Sequence, residues 1–498
     1  MHRTLTIALA ATAVVAAAVP AVSMAKAPEV SAATTPAVAA KTSPSTLKWG
    51  ACPKDVVTPL PLECSTLDVP LDYRKPNGRQ IEIAISRLAS KEPTQRRGIL
   101  LTNPGGPGVK GLIYPAQLVE SGLPQEVQNA YDVIGVDPRG VGHSTPLTCD
   151  TTLEQQALGS FATYAHSPSD VVTEAKYAKS LAKQCASSKT GDILPYITTP
   201  NTARDLDRVR AALGEKKASY LGASYGSYLG AVYTTLFPKT TDRVVIDSVI
   251  NPDGYDVKQM RMFARGLDDR FPDFQKYVVA HPELGLGKTP QQVKAKFFEL
   301  AKELRAKPVE GMTETGFRAL TFAGMYSDGV MPYLAGTWQK LDKNLPLNLK
   351  PAEDSDNIMS IRLTVSCNNP GWPEKLREYQ RTALVDRIKR PMLGGSTGNI
   401  GPCAFWPKHH KELVKITDRG PSNVMLVQFQ RDPGTPLAGA RQMRAALGQR
   451  AKMVTDPGGG HGVYPGTPNT CSKNAVTTFL LTGERPAKDL ACAANPSK

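Results

Sequence analysis

The chain has no Cys-x-x-Cys pair and no His-Glu-x-x-His segment, the usual short signatures of a zinc site, so no metal is expected. It also lacks any dense Lys/Arg block or basic stripe interleaved with aromatic residues, although its formal net charge is +15. A positive balance spread so evenly argues against a nucleic-acid partner and for a solvated basic surface, one that would favour anionic cell-wall polymers. Beyond the N-terminal segment no apolar run approaches the ~20 residues that cross a bilayer, so no membrane span is expected in the mature chain. Histidine is scarce, with seven residues, and each can be weighed singly.

The N-terminus carries His2-Arg3, an Ala/Val/Leu-rich stretch and then Ser23-Met24-Ala25, a small-x-small cleavage pattern. Residues 1–25 therefore read as a secretory signal peptide. Residues 26–47 are rich in Ala, Thr, Pro and Ser and cannot bury enough apolar surface to fold alone, so they read as a disordered leader or propeptide. Eight cysteines in an exported chain suggest four disulfides, for which about 105 pairings are possible. Pairing in sequence order is the expectation: Cys52–Cys64, Cys149–Cys185, Cys367–Cys403 and Cys471–Cys492.

The chemistry is concentrated around Ser224, the centre of Gly222-Ala223-Ser224-Tyr225-Gly226. A β-like run at 218–221 precedes this G-x-S-x-G segment, and a helix-like run ending at Phe237-Pro238 follows it. A serine on a sharp strand-to-helix turn projects Oγ clear of the sheet. Its flanking glycines are needed because a Cβ there would strike the neighbouring strand and helix. The Tyr225 N–H then stands at a helix N-terminus, where peptide dipoles favour developing negative charge. A second cluster, Asn103-Pro104-Gly105-Gly106-Pro107-Gly108, follows the apolar run 99–102, and its backbone is the expected second oxyanion donor.

The chain order serine, acid, histidine places both partners downstream. The apolar run 424–430 ends in Arg431-Asp432-Pro433-Gly434, which puts Asp432 just past a strand's carboxyl end. The strand-like 452–455 is followed by Gly458-Gly459-Gly460-His461-Gly462. His461 is the expected base and Asp432 the acid that orients it. Asp247 is the rival acid, since 243–247 is also a strand ending in a carboxylate. Of the other histidines, His2 lies in the targeting segment and His143 precedes the nucleophile. His166, His281, His409 and His410 sit in polar stretches and are expected to be solvated.

Alternating residues at 81–85, buried-type strands at 99–102 and 133–137, and an amphipathic helix at 201–213 stopped by Gly214 argue for an α/β fold: a mostly parallel sheet covered on both faces. Between Ser224 and Asp432 the sheet needs only about two βα units of roughly thirty residues each. The surplus, 251–394, contains helix-like stretches at 290–304 and 315–327 and is expected to form a helical lid. That leaves the core in two parts, 48–250 and 395–498.

Together, the segments Asn103 to Gly108, Asp137-Pro138-Arg139-Gly140-Val141-Gly142-His143-Ser144, Gly222 to Gly226, Asp432 to Pro436 and Gly458 to Gly462 resemble the secreted bacterial tripeptidyl aminopeptidases, relatives of proline iminopeptidases among the α/β-hydrolases. The resemblance runs from Trp49 to Cys492. It implies an extracellular serine exopeptidase that needs no cofactor and takes tripeptides from peptides or proteins with a free N-terminus. In it, Ser224 matches the nucleophile, Asp432 the acid, His461 the base and Gly105-Gly106 the oxyanion-loop glycines. Lys110 stands where a small residue is usual and Ala223 where glycine is common; the lysine would add a cation near the cleft. Asp253, Asp256, Glu353 and Asp354 are candidates for binding the substrate ammonium. The alternatives are a secreted carboxylesterase or amidase using the same triad, and a silent binding protein that keeps the fold.

Overall fold

The computed structural model describes residues 47–158, 161–348, 355–409 and 411–495. The expected signal peptide, the leader up to residue 46, the acids Glu353 and Asp354, and His410 lie outside the described residues.

A single sheet organises the chain. Its strands are β1 (Gly50–Ala51), β2 (Leu62–Pro70), β3 (Gln80–Leu88), β4 (Gly98–Asn103), β5 (Tyr131–Val136), β6 (Ala218–Ala223), β7 (Thr241–Asp247), β8 (Val424–Arg431), β9 (Ala451–Gly459) and β10 (Leu490–Ala491). The spatial order is β1-β2-β3-β5-β4-β6-β7-β8-β9-β10. Pairings from β1 to β5 are antiparallel, and every pairing from β5 through β10 is parallel. The expected strands coincide with observed ones, with Asp137 falling one residue past β5. Strand β2 was not anticipated, because its exposed Thr66 and Asp68 break the apolar run between buried Leu67 and Val69.

Side chains alternate across the sheet and build two cores. Leu100, Leu221, Val245 and Val427 point to one face, where Leu118, Val127, Val476 and Phe479 cover them. Leu101, Tyr220, Ile246 and Leu426 point to the other, against Leu206, Leu229, Met443 and Leu447. With helices on both faces the central strands read as continuous apolar runs, as buried parallel strands must. The expected helix at 201–213 is Thr199–Ala212, and Gly214 follows with φ +74°.

Between β7 and β8 the chain forms helices Val257–Ala280, Pro290–Ala306, Glu314–Ala323, Met331–Asp342, Asp356–Asn368 and Leu376–Lys389. Trp338 stands at the centre of this insert, with Phe271, Phe274, Phe297 and Phe317 packed around it. The four disulfides join cysteines in sequence order: Cys52–Cys64, Cys149–Cys185, Cys367–Cys403 and Cys471–Cys492. Among the described residues no helix is long and apolar enough to cross a membrane.

Arg139, from the Asp137-Pro138-Arg139-Gly140 turn, is fully buried with Asp205. Its Nε and one terminal nitrogen donate to the two carboxylate oxygens at 2.7 and 2.6 Å, and the remaining protons reach the carbonyls of Pro70, Leu71 and Tyr196. The Tyr73 hydroxyl donates to the same carboxylate at 2.7 Å. A buried cation satisfied this completely is costly to orphan. Asp205→Ala should destabilise the fold by about 3–5 kcal/mol, read from the urea midpoint.

Candidate active site

Strand β6 passes into helix Tyr225–Leu236 through Ser224 alone, whose backbone sits at φ 58° and ψ −121°. An L-residue occupies this region only when its surroundings hold it there. Here the glycine spacing supplies the room: a Cβ at Gly222 would lie 2.5 Å from the Gly226 carbonyl oxygen, and one at Gly226 would lie 2.7 Å from that of Asn103. The Ser224 N–H donates to the Asp247 carbonyl at 3.0 Å, tying the turn to the end of β7.

The loop after β4 closes over this turn. Gly105 has φ +97°, and a Cβ there would be 2.8 Å from Ser224 Cβ and 3.2 Å from Tyr225 N. Its own N–H donates to Asn103 Oδ1 at 3.0 Å. The Tyr255 hydroxyl reaches the Gly106 carbonyl from the insert at 3.4 Å.

Asp432 and His461 meet directly. Imidazole Nδ1 lies 2.9 and 3.0 Å from the two carboxylate oxygens of Asp432. The carboxylate is fully buried and also accepts from Gly434 N, Thr435 N and the Thr435 hydroxyl. Burial of the imidazole acts to lower its pKa, but the charge and hydrogen bond of Asp432, with the charge of Asp247, outweigh it and leave the pKa raised. Asp247, the rival acid, is engaged elsewhere: its carboxylate accepts the N–H groups of Val463 and Tyr464 and the Ser248 hydroxyl. Ser224 and the His461 loop are thus fastened to the same residue, at the carboxyl end of the parallel strands.

The insert completes the enclosure through residues that the sequence did not single out. The Tyr326 carbonyl accepts the His461 N–H at 2.9 Å, and its ring stands edge-on to the imidazole at 4.7 Å. Ring contacts continue from Tyr326 to Phe322, Phe263, Tyr255 and Tyr225, an aromatic arc from the histidine back to the residue after the serine. Helix Val257–Ala280 presses on the Asp432 loop so closely that a Cβ at Gly266 would lie 2.0 Å from the Pro433 carbonyl oxygen. Tyr326 falls inside the helix-like stretch expected at 315–327, but nothing in its local pattern marks its tertiary role.

The other groups resolve individually. His166, expected to be solvated, is instead half-buried with Nε2 2.9 Å from Glu314, because Tyr164 packs beside it. His143 pairs with Asp55 at 2.8 Å, and His281 contacts the Tyr277 carbonyl and ring. Lys110 turns its ammonium to Asp55 at 2.8 Å, so its charge is already met. Asp253 pairs with Lys258, and Asp256 caps helix Val257–Ala280 through the N–H groups of Lys258 and Gln259. Burial pushes the Asp256 pKa up to about 6.

Comparison with known proteins places the chain in a family. Residues 391–492, which contain Asp432 and His461, match the family described as "TAP-like protein". The tripeptidyl aminopeptidase of Streptomyces lividans is 34% identical over 471 residues, spanning 90% of this chain and 86% of that one. The serine protease Hip1 of Mycobacterium tuberculosis is 26% identical over 86% of this chain and 87% of its own. Carboxylesterase B of the same organism is 29% identical over 86% of each. The chain belongs to the tripeptidyl aminopeptidase family of α/β-hydrolases and is a hydrolytic enzyme.

Proposed function

We propose that this serine peptidase is secreted and releases tripeptides from the free N-terminus of peptides and proteins. Ser224 is the nucleophile, His461 the base and Asp432 the acid that orients it. The observation that carries this reading is the Nδ1 contact to Asp432 on a loop fastened, with the strained Ser224, to Asp247. The family relation to a protein named tripeptidyl aminopeptidase supports the substrate class. Four disulfides support an extracellular setting.

In this mechanism Ser224 Oγ attacks the scissile carbonyl carbon while its proton passes to His461 Nε2. The carbonyl π electrons move onto oxygen, where the Tyr225 N–H at the helix N-terminus and a backbone N–H of the Gly105-Gly106 loop stabilise them. Since Gly105 N–H already serves Asn103, Gly106 supplies the second donor. Collapse breaks the C–N bond, and the imidazolium gives its proton to the leaving amine. Water then attacks the acyl-serine carbonyl, giving a proton to His461, and collapse of that intermediate breaks the acyl–Oγ bond, returns the proton from His461 to Ser224 Oγ and releases the tripeptide. Asp432 keeps the Nδ1 proton in place throughout and offsets the imidazolium charge.

A second reading, hydrolysis of small esters, is favoured by the relative named Carboxylesterase B, since ester cleavage uses the same acyl-serine. Substrate comparison separates the two. A tripeptidyl chromogenic amide with a free N-terminus should be cleaved much faster than its N-acetylated form; equal rates, or turnover of simple esters alone, would refute aminopeptidase action. Ser224→Ala should lower turnover by roughly 10⁶ and abolish fluorophosphonate labelling, whereas a loss below about tenfold would exclude this serine. Because the base must be neutral, activity should rise with pH through an apparent value above the ordinary imidazole 6.5, and undiminished rates at about pH 4 would exclude His461.

A further inference from the structure

Asp247 and Ser248 are fully buried polar residues beside the proposed triad, and neither is used in the chemistry above. We propose that this dipeptide is the positioning element for His461: it grips the backbone of the histidine loop and sets where the imidazole stands relative to Ser224. This rests on the reading of Ser224, Asp432 and His461 as the triad.

The geometry assigns the role contact by contact. After His461 the chain is irregular, and the amides of residues 462–464 have no strand partner. Gly462 N–H donates to Ser248 Oγ at 2.8 Å, Val463 N–H to both Asp247 carboxylate oxygens at 3.0 Å, and Tyr464 N–H to Asp247 Oδ2 at 2.7 Å. Three consecutive donors therefore converge on two adjacent side chains. On its other sides the dipeptide holds the rest of the site: the Asp247 carbonyl accepts the Ser224 N–H, and the Ser248 N–H donates to Val427 on β8, the strand that leads to Asp432. Ser248 takes a φ of +51°, a conformation that holds its Oγ against Gly462 rather than continuing the strand. Burial opposes an anion here and pushes the Asp247 pKa up to about 6, while the donors of Val463, Tyr464 and Ser248 act the other way and favour the charged form that prevails above that pH.

Asp247 also acts through its charge. The titratable groups around the imidazole are Asp432 from the loop after β8, Asp247 from β7 and the Tyr326 phenol from the insert. Tyr114 faces Asp247 from the first helix. An anion at Asp247 favours protonated His461, so removing the charge moves the imidazole pKa down. A carboxylate too far from the imidazole for its charge to be felt would not produce that shift.

The experiment measures kcat, KM and pH profiles for wild type, Asp247→Asn, Ser248→Ala and Asp432→Asn on a tripeptidyl amide, with thermal midpoints as fold controls. Asp247→Asn turns an NH₂ group toward the loop donors and should lower kcat by about 10², as misplacement of a reacting group by an ångström does, with the acidic limb moved to lower pH. Ser248→Ala loses the hydrogen bond from Gly462 and the one to Asp247 but removes no charge, so kcat should fall roughly tenfold with KM unmoved and the acidic limb moved less than in Asp247→Asn. Wild-type kcat in both variants overturns the proposal, and so does an Asp247→Asn rate loss with the limb in place. If Asp247→Asn does not fold, Ser248→Ala decides by the same criterion. Wild-type turnover in Asp432→Asn would instead refute the triad itself.

Discussion

A serine held at positive φ is the constraint on which the rest of this structure depends. Such a backbone costs about 1–3 kcal/mol and returns to an ordinary conformation unless its neighbours forbid it. At Ser224 they do. Glycine spacing lets β6, the following helix and the β4 loop approach to van der Waals contact, and the Ser224 N–H is held by Asp247. Each hydrogen bond is worth only about 1 kcal/mol net, so the turn survives because the buried sheet around it cannot rearrange locally.

The same edge explains why residues far apart in the chain can act together. Strands β6 and β7 end in register, with Ala223 opposite Asp247, so Ser224 and Asp247 arrive at one rim side by side, while β8 runs on past Val427, the partner of Asp247, to Arg431 before it delivers Asp432. His461 comes from a loop without regular structure and needs the side chains of Asp247 and Ser248, with the Tyr326 carbonyl, to hold its backbone. Two buried carboxylates thus do different work. Asp432 meets the imidazole, while Asp247 meets amides, and burial pushes the Asp247 pKa up to about 6.

What was legible in the sequence was whatever depends on local pattern. Ser224 between its glycines, Asp432 and His461 after apolar strands, and the central strands all announce themselves through periodicity and turn residues. The pairing of cysteines in order was also anticipated. Contacts that exist only after the insert docks were not legible: Tyr326 on the histidine, Gly266 under Pro433, and His166 paired with Glu314. Asp432 was preferred to Asp247 because its loop falls one strand before the histidine, but that the Asp247 carboxylate takes the amides of Val463 and Tyr464 depends on the path of the loop after His461, which no local pattern shows.

The bare Cα of Gly266 against the Pro433 carbonyl has a mechanical consequence. Helix Val257–Ala280 and the loop bearing Asp432 share one surface with no spare volume, so tilting the insert as a rigid flap would drag the acid with it. An insert transplanted from a relative would have to reproduce this one missing methyl group to leave Asp432 undisturbed.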